Sequence, residues 1–401
     1  MGIISTSDTF PLLVVLNPSS GPKQAQDIYT KQVLPALNTA NIGNQLIETT
    51  TQGHARTYFK ENIQQILADL CQSLAAAVAS NDRGPAGDGV EPAPPTSATL
   101  RIMVLGGDGT VHEIVNGILE GLKGSAFVSD LFRPRVEFSI IPAGTGNAIA
   151  TSLGITTVQE ALERFLAGNS TPMRAIQVST PTPTVAAAAE SSEAASNRKT
   201  WEPRLYTVVV NSFGLHCATV YDAEDFRILG NTRFKISALK NVVMLKQYDA
   251  RIELFGAVQK YDRDLREMGV VSAATETDGS ASVTLLGKFT YLMLTKQASL
   301  EPGFIPTPLA STSDDWLDVL AVQNADRGQI LKVLGLATKG GDHVGLETVE
   351  YYKAKAVELE TPTKDRLCVD GEFLDVEGGA GGRVRFEVVS DPNIQIFHVY
   401  R

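Results

Sequence analysis

Arg101-Ile102-Met103-Val104-Leu105-Gly106-Gly107-Asp108-Gly109-Thr110 decides the fold. A largely apolar run enters a glycine turn, and beyond it Val111, Ile114, Val115, Ile118, Leu119 and Leu122 recur at helical spacing. That pattern predicts strand, turn, helix. Such a turn points backbone N–H groups and the positive end of a helix dipole at one spot, where an anion is favoured and glycines let the backbone come close. A carboxylate at Asp108 repels phosphate, so it serves a different purpose, either holding Mg²⁺ or accepting the proton of an attacking hydroxyl. Taken alone, Gly-Asp-Gly also reads as an ordinary turn with an Asp cap.

The loop has company on both sides. Leu12 to Leu16 is a continuous apolar run that stops at Asn17-Pro18-Ser19-Ser20-Gly21, and Val136 to Ile141 runs into Pro142-Ala143-Gly144-Thr145-Gly146-Asn147. Each reads as a buried strand entering a polar, glycine-rich turn. Alternation of this kind predicts an α/β domain whose loops meet at the strand ends, where ligands bind. Three converging loops of this chemistry predict a phosphate site, without naming the nucleotide or the acceptor.

Past about residue 200 the pattern changes to short β-like runs divided by turn residues: Leu205 to Val210, Arg251 to Phe255, Phe289 to Leu294, Leu317 to Val322, Val384 to Val389 and Ile394 to Val399. The expected organisation is an α/β nucleotide-binding domain over residues 10–147 and a mainly β, sandwich-like domain over 148–401. Segments 80–98, 179–200 and 272–282, rich in Ala, Ser, Thr, Pro or Gly, read as disordered surface insertions.

Composition bounds the function. The 401 residues are 43% hydrophobic and 20% charged, enough for two ordinary cores. A net charge of -10 argues against a protein that holds nucleic acid by neutralising phosphates. No apolar stretch approaches the roughly 20 residues of a bilayer-spanning helix. No secretory leader is legible, and Cys71, Cys217 and Cys368 are odd in number and widely spaced, which suits reduced thiols in a cytosolic protein. Met1-Gly2-Ile3-Ile4-Ser5-Thr6 fits the loose N-myristoylation pattern, although the first lysine, Lys23, is too distant to supply a second anchoring signal.

Taken in order, Asn17 to Gly21, Thr49 with His54-Ala55, Gly106 to Thr110 continuing into His112-Glu113-Ile114-Val115-Asn116-Gly117, Pro142 to Asn147, and Val369-Asp370-Gly371-Glu372 resemble the diacylglycerol kinase catalytic-domain superfamily, which includes sphingosine, ceramide and bacterial lipid kinases. The resemblance spans nearly the whole chain apart from the insertions. It implies a two-domain lipid kinase with ATP in the cleft, Mg²⁺ as cofactor, a lipid substrate at a membrane surface, and cytoplasmic location with peripheral membrane association. Asp108 would be the catalytic carboxylate and an indirect metal contact. Asn17, Ser19, Gly21, Thr49, Gly106, Gly107, Gly109, Thr110, Gly144, Thr145, Gly146 and Asn147 would hold the nucleotide. Asp370 and Glu372 would lie near the nucleotide or its metal, although Asp-Gly is also a favoured hairpin turn.

Asp225 to Phe234 resembles the corresponding segment of sphingosine and ceramide kinases, which places Arg227 and Arg233 as phosphate-binding arginines. Two guanidiniums there would stabilise charge on the transferring group. Sphingosine kinases carry an acidic residue that reads the substrate's ammonium, and the matched position is Val220. Asp222 or Asp225 is the available substitute, so sphingoid base, ceramide and diacylglycerol all stand as acceptors. Phe234 to Tyr248, with lysines 235, 240 and 246 among apolar residues, reads either as a membrane-touching helix or as plain core. Asp314-Asp315-Trp316-Leu317-Asp318 resembles an acidic turn that binds a structural metal in some bacterial members, and reads equally as a loop entering a strand. His54, His112 and His343 show no metal-ligand spacing. Two rival readings share the loops: a kinase of a soluble acceptor related to NAD kinases, and a pseudokinase that binds without turnover.

Overall fold

The computed structural model describes residues 11–81, 97–125, 133–182, 200–230, 232–271, 283–379, 382–389 and 396–401. The myristoylation pattern at residues 1–6 and most of the three expected insertions lie outside them. Their edges fall within regular structure: Ser80 lies in a helix, Ser97 and Ala98 begin a strand, and Ser179 to Pro181 end one.

Two compact units divide the chain, the first made of residues up to Arg174 with 300–302 and 390–401, the second of 175–299 and 303–389. In the first unit, β1 (Leu12–Leu16), β2 (Asn44–Glu48), β3 (Ser97–Gly106), β4 (Arg133–Pro142) and β5 (Ser170–Pro172) build a sheet. Its order is β2-β1-β3-β4, then a late strand from Phe397–Tyr400, then β5. All pairings are parallel except that of the late strand with β5. Leu12 to Leu16 are buried on both faces, as the unbroken apolar run requires of a parallel strand covered by helices.

The covering helices are α1 (Ala25–Ile28), continued through a π turn into α2 (Leu34–Thr39), α3 (His54–Asn81), α4 (Asp108–Leu122), α5 (Ala148–Ser152) and α6 (Val158–Ala167). α3 and α4 touch backbone to backbone: a Cβ on Gly117 would lie 2.4 Å from the Arg56 carbonyl oxygen, and one on Gly121 2.6 Å from that of Lys60. Glu120 then pairs with both Arg56 and, at 3.2 Å, Lys60. α6 begins with a Thr157/Glu160 capping box, ends at left-handed Gly168, and packs on β4. These helices carry the first unit beyond Asn147, the boundary expected from the sequence, to Arg174.

The second unit is antiparallel throughout. Its strands are β6 (Ile176–Pro181), β7 (Trp201–Thr207), β8 (Val210–Gly214), β9 (Tyr248–Phe255), β10 (Gln259–Asp262), β11 (Glu267–Val270) and β12 (Val283–Thr295). They are followed by β13 (Leu317–Gln323), β14 (Val349–Ala354), β15 (Ala356–Glu360), β16 (Asp365–Val369), β17 (Glu372–Val376) and β18 (Arg383–Val388). The main path runs β11-β10-β14-β13-β12-β9-β15-β18-β6-β7, with β8 joining β12 to the β16–β17 hairpin. One apolar core takes Ile252, Phe289, Leu292, Val319, Leu359 and Phe386 from this sheet. Three helices, α7 (Leu215–Ala223), α8 (Thr232–Val243) and α9 (Arg327–Ala337), interrupt the β pattern. The run Ile394 to Val399, expected in this unit, instead supplies the late strand β19 (Phe397–Tyr400) of the first sheet.

Candidate active site

Three loops leave the C-terminal ends of β1, β3 and β4, which are adjacent in the sheet, and their glycines are required by contact. A Cβ on Gly144 would sit 2.2 Å from the Gly107 Cα, and one on Gly107 2.7 Å from the Gly146 carbonyl oxygen. Gly21, at φ +50°, would place a Cβ 2.7 Å from the Ala143 carbonyl oxygen. Only hydrogen side chains allow that approach. Asn17 Nδ2 donates to Thr110 Oγ1 at 3.2 Å, while Asn17 Oδ1 accepts the Ser19 amide at 3.0 Å. Asn147 closes the third loop on itself, donating from Nδ2 to the Gly144 carbonyl and accepting the Gly144 amide.

Asp108 ties the second loop to the third. Its carboxylate accepts the amides of Ala148, at 2.6 Å, and Ile149, at 3.2 Å, and its own amide donates to the Gly146 carbonyl. Those two amides open α5, so the carboxylate does the work of a helix cap for a different segment. Thr49 is buried at the end of β2, where its amide donates to the Leu16 carbonyl. Glu113 on α4 accepts the amides of Gly53 and Ala55 and so fixes the start of α3.

Glycines 144 and 109 separate packing from ligand approach. Gly144→Ala should cost about 1–3 kcal/mol by forcing the loops apart, read as a lower melting temperature. Gly109 has nothing within 4 Å of its ideal Cβ and lies in the first turn of α4, so Gly109→Ala should leave the melting temperature unchanged or slightly raised. If the Gly109→Ala protein nonetheless binds ATP at least about tenfold more weakly, the open side of the loop is where phosphate sits. Unchanged ATP affinity in both variants would remove these loops from the nucleotide site.

In the second unit, Asp370 and Gly371 turn the β16–β17 hairpin at φ +50° and +90°. The Asp-Gly turn is therefore real, but the carboxylate is not turned to solvent. It accepts three consecutive amides, Val208 at 2.7 Å, Val209 at 2.9 Å and Val210 at 2.8 Å. Glu372 is exposed at the start of β17. Arg233 stands in the first turn of α8, its guanidinium 3.5 Å from Glu224 and over the Phe234 ring. Arg227 lies in the 3₁₀ turn Glu224–Leu229, and its side chain is outside the described residues. Asp222, the residue considered as a substitute ammonium reader, is bound by Lys240 at 2.8 Å and Asn241 at 3.0 Å. Burial raises its pKa, but these two hydrogen bonds and the charges of Lys240 and Lys246 together bring it below the usual carboxylate value.

The acidic turn at 314–318 holds lysine ammoniums. The fully buried Lys296 donates to the Asp314 carbonyl at 2.7 Å, to the Asp314 carboxylate and to the Trp316 carbonyl. Lys353 bonds Asp314 at 3.2 Å and Asp318 at 2.9 Å, and Tyr351 donates to Asp318 at 2.7 Å. Burial pushes the Lys296 pKa down while Asp314 pulls it back. Among the described residues, no group of three His, Cys, Asp or Glu side chains is placed to hold a metal ion. Sequence reasoning missed Lys296, which follows an apolar strand with no charged neighbour to mark it.

Comparison with known proteins agrees with this architecture. Residues 11–178 match the diacylglycerol kinase catalytic domain, and residues 208–387 match the YegS C-terminal NAD kinase beta sandwich-like domain. The chain belongs to the diacylglycerol kinase catalytic-domain superfamily, on the side of the sphingosine kinases. It is 24% identical to sphingosine kinase 2 of Arabidopsis thaliana over 384 residues, covering 90% of this chain and 69% of that protein. With human sphingosine kinase 1 it shares 25% over 248 residues, covering 60% and 50%. A solved structure described as a diacylglycerol kinase from Bacillus anthracis str. Sterne aligns with a TM-score of 0.52 at 15% identity, covering 98% of this chain and 96% of that one, a likeness of fold.

Proposed function

We propose that this chain is an ATP-dependent lipid kinase that transfers the γ-phosphoryl group of Mg·ATP to a hydroxyl of a sphingoid base, ceramide or diacylglycerol. The observation that carries the reading is the backbone contact among the three glycine loops, with the Asp108 carboxylate fixed between two of them. Loop amides and the α4 N-terminus would bind phosphate oxygens. Asn17, Ser19, Gly21, Thr49 and Thr145 would surround the nucleotide, while Asn147 would act by shaping its loop. Asp108 would accept the proton of the lipid hydroxyl or stand beside the metal; a carboxylate has about four lone-pair sites, so an oxygen that holds an amide can also face a second donor or a cation. Mg²⁺ usually binds through one or two carboxylates plus the substrate phosphates, which suits a site with few acidic groups. Bound there, the ion would neutralise charge developing on the phosphates. Arg227 and Arg233 would serve the phosphoryl group, with Arg233 leaving Glu224 to do so. Asp370 would act at one remove, by setting the backbone of Val208 to Val210, and Glu372 would supply the exposed acidic group.

Membrane contact is assigned to α8. Leu239, Val243 and Met244 are 64%, 59% and 59% exposed, Ile236 shares their face, and Lys235, Lys240 and Lys246 lie among them. An apolar helix face with lysines beside it suits the surface of an anionic bilayer. That face also favours a lipid acceptor over a soluble one. No helix among the described residues is long and apolar enough to cross a membrane.

The test is transfer of labelled γ-phosphate to sphingosine, phytosphingosine, ceramide and diacylglycerol in mixed micelles. Labelling of at least one lipid by the native chain is expected. Labelling of none, with retained ATP binding, would direct attention to soluble acceptors.

A further inference from the structure

We propose that Ser212, His216 and Tyr291 form an uncharged polar reader for the acceptor's headgroup, and that the preferred acceptor is a lipid alcohol without positive charge. The proposal rests on the lipid-kinase reading and narrows it. The β8–β12 register pairs Gly214 with Tyr291 and Ser212 with Met293, while Phe213 and Leu292 point the other way into the apolar core. Ser212 and Tyr291 therefore share the opposite face of the sheet. Gly214, at φ +79°, turns the chain sharply into α7 and returns His216 to that face. His216 Nδ1 lies 2.7 Å from Ser212 Oγ, and its ring meets Tyr291 edge-on at 6.0 Å between centroids.

Two features point to a ligand. Tyr291 is buried, at 3% exposure, yet its hydroxyl has no hydrogen-bond partner among the described residues. Buried hydroxyls are ordinarily paired, and a site that holds one in reserve rewards a molecule that brings the missing partner. His216 makes its one hydrogen bond among the described residues through Nδ1, which leaves Nε2 for the same molecule. With Ser212 donating to Nδ1, Nε2 is a donor; with the roles reversed it is an acceptor. Burial lowers the His216 pKa to about 4 and raises that of Tyr291, so both stay neutral near pH 7.

Charge decides which headgroup fits. A buried ammonium needs a carboxylate, whereas a hydroxyl, ester or amide needs only a donor and an acceptor. Val220, one helical turn beyond His216 on the same face of α7, brings no charge. Asp222 is already held by Lys240 and Asn241. Asp225, the other substitute considered, is exposed in the turn Glu224–Leu229, and the remaining rival is Asp365, half-buried on β16, whose charge is felt at Cys217 and Tyr248.

The experiment compares kcat/KM for sphingosine, ceramide and diacylglycerol in mixed micelles for the native chain, Tyr291→Phe, Ser212→Ala and Asp365→Asn, with melting temperatures alongside. Native enzyme should favour one neutral lipid over sphingosine by at least about tenfold, and Tyr291→Phe should lower that lipid's kcat/KM about tenfold while the ATP KM and the melting temperature hold. Ser212→Ala should follow in the same direction. A preference for sphingosine that Asp365→Asn abolishes would overturn the proposal, as would unchanged kinetics in Tyr291→Phe. If the native chain labels no lipid, the lipid-kinase reading fails, and retention of short-chain ceramide and diacylglycerol on the immobilised protein decides the reader. Retention lost in Tyr291→Phe supports it; no retention, or retention unaffected by that change, overturns it.

Discussion

Asp108→Asn should lower phosphoryl transfer by about 10²–10⁴-fold, the usual contribution of a positioned acid or base, and should also lower the melting temperature. The first effect follows from removing the acceptor of the hydroxyl proton or the metal's carboxylate. The second follows from the loop geometry. Both oxygens of Asp108 accept an amide from the start of α5. An asparagine offers one oxygen and one NH₂, so one amide would face another donor, at a cost of about 1–3 kcal/mol. Calorimetry and ATP titration beside the kinetic assay separate the two effects. Lost turnover with an unchanged melting temperature would mean that the amide contacts carry little stability. Wild-type turnover would remove Asp108 from the chemistry.

Lys296→Met should destabilise the second unit by about 1–3 kcal/mol, the cost of leaving the part-buried acceptors of Asp314 and Trp316 without their donor, while chelation of divalent ions should leave its melting temperature unchanged. Lys296 supplies the cation around which Asp314 and Trp316 turn, and methionine fills a similar volume without charge. Lys353 still reaches Asp314, which places the expected loss toward the lower end. Urea unfolding followed through the tryptophans measures it. A native midpoint in the Met variant would show that Lys353 alone satisfies the turn. A chelator-sensitive midpoint would restore the metal reading of that segment.

The sequence made legible whatever rests on local pattern. β1 is an unbroken apolar run, β3 and β4 are largely apolar ones, each ends in a polar turn that carries glycine, and the structure brings all three loops into backbone contact. Most strand runs of the second unit were legible for the same reason, but Leu205 to Val210 straddles the bend between β7 and β8. Partners distant in sequence were not legible. Nothing near Asp370 announces that Val208 to Val210 will surround it, and nothing near Asp314 announces Lys296. The domain boundary expected after Asn147 falls short of Arg174, where the first unit ends, because residues 148–167 carry no sign of which sheet they cover. The role of Ile394 to Val399 was hidden because a short β run looks alike in either sheet.

That last strand has a consequence for synthesis. β19 is held in the first sheet by its pairing with β4, by the Val136 amide on the Ile396 carbonyl, and by the Tyr400 hydroxyl on Glu137. At roughly 5–20 residues per second, a ribosome needs on the order of 10 to 50 s to pass from Pro142 to Phe397. Through that interval β4 keeps an unsatisfied edge, open to any other strand that reaches it. The three glycine loops can form early, but the sheet beneath them closes only once Phe397 to Tyr400 have been made. A nascent chain stalled in the second unit should therefore be more prone to mispairing than one in which β19 has already docked.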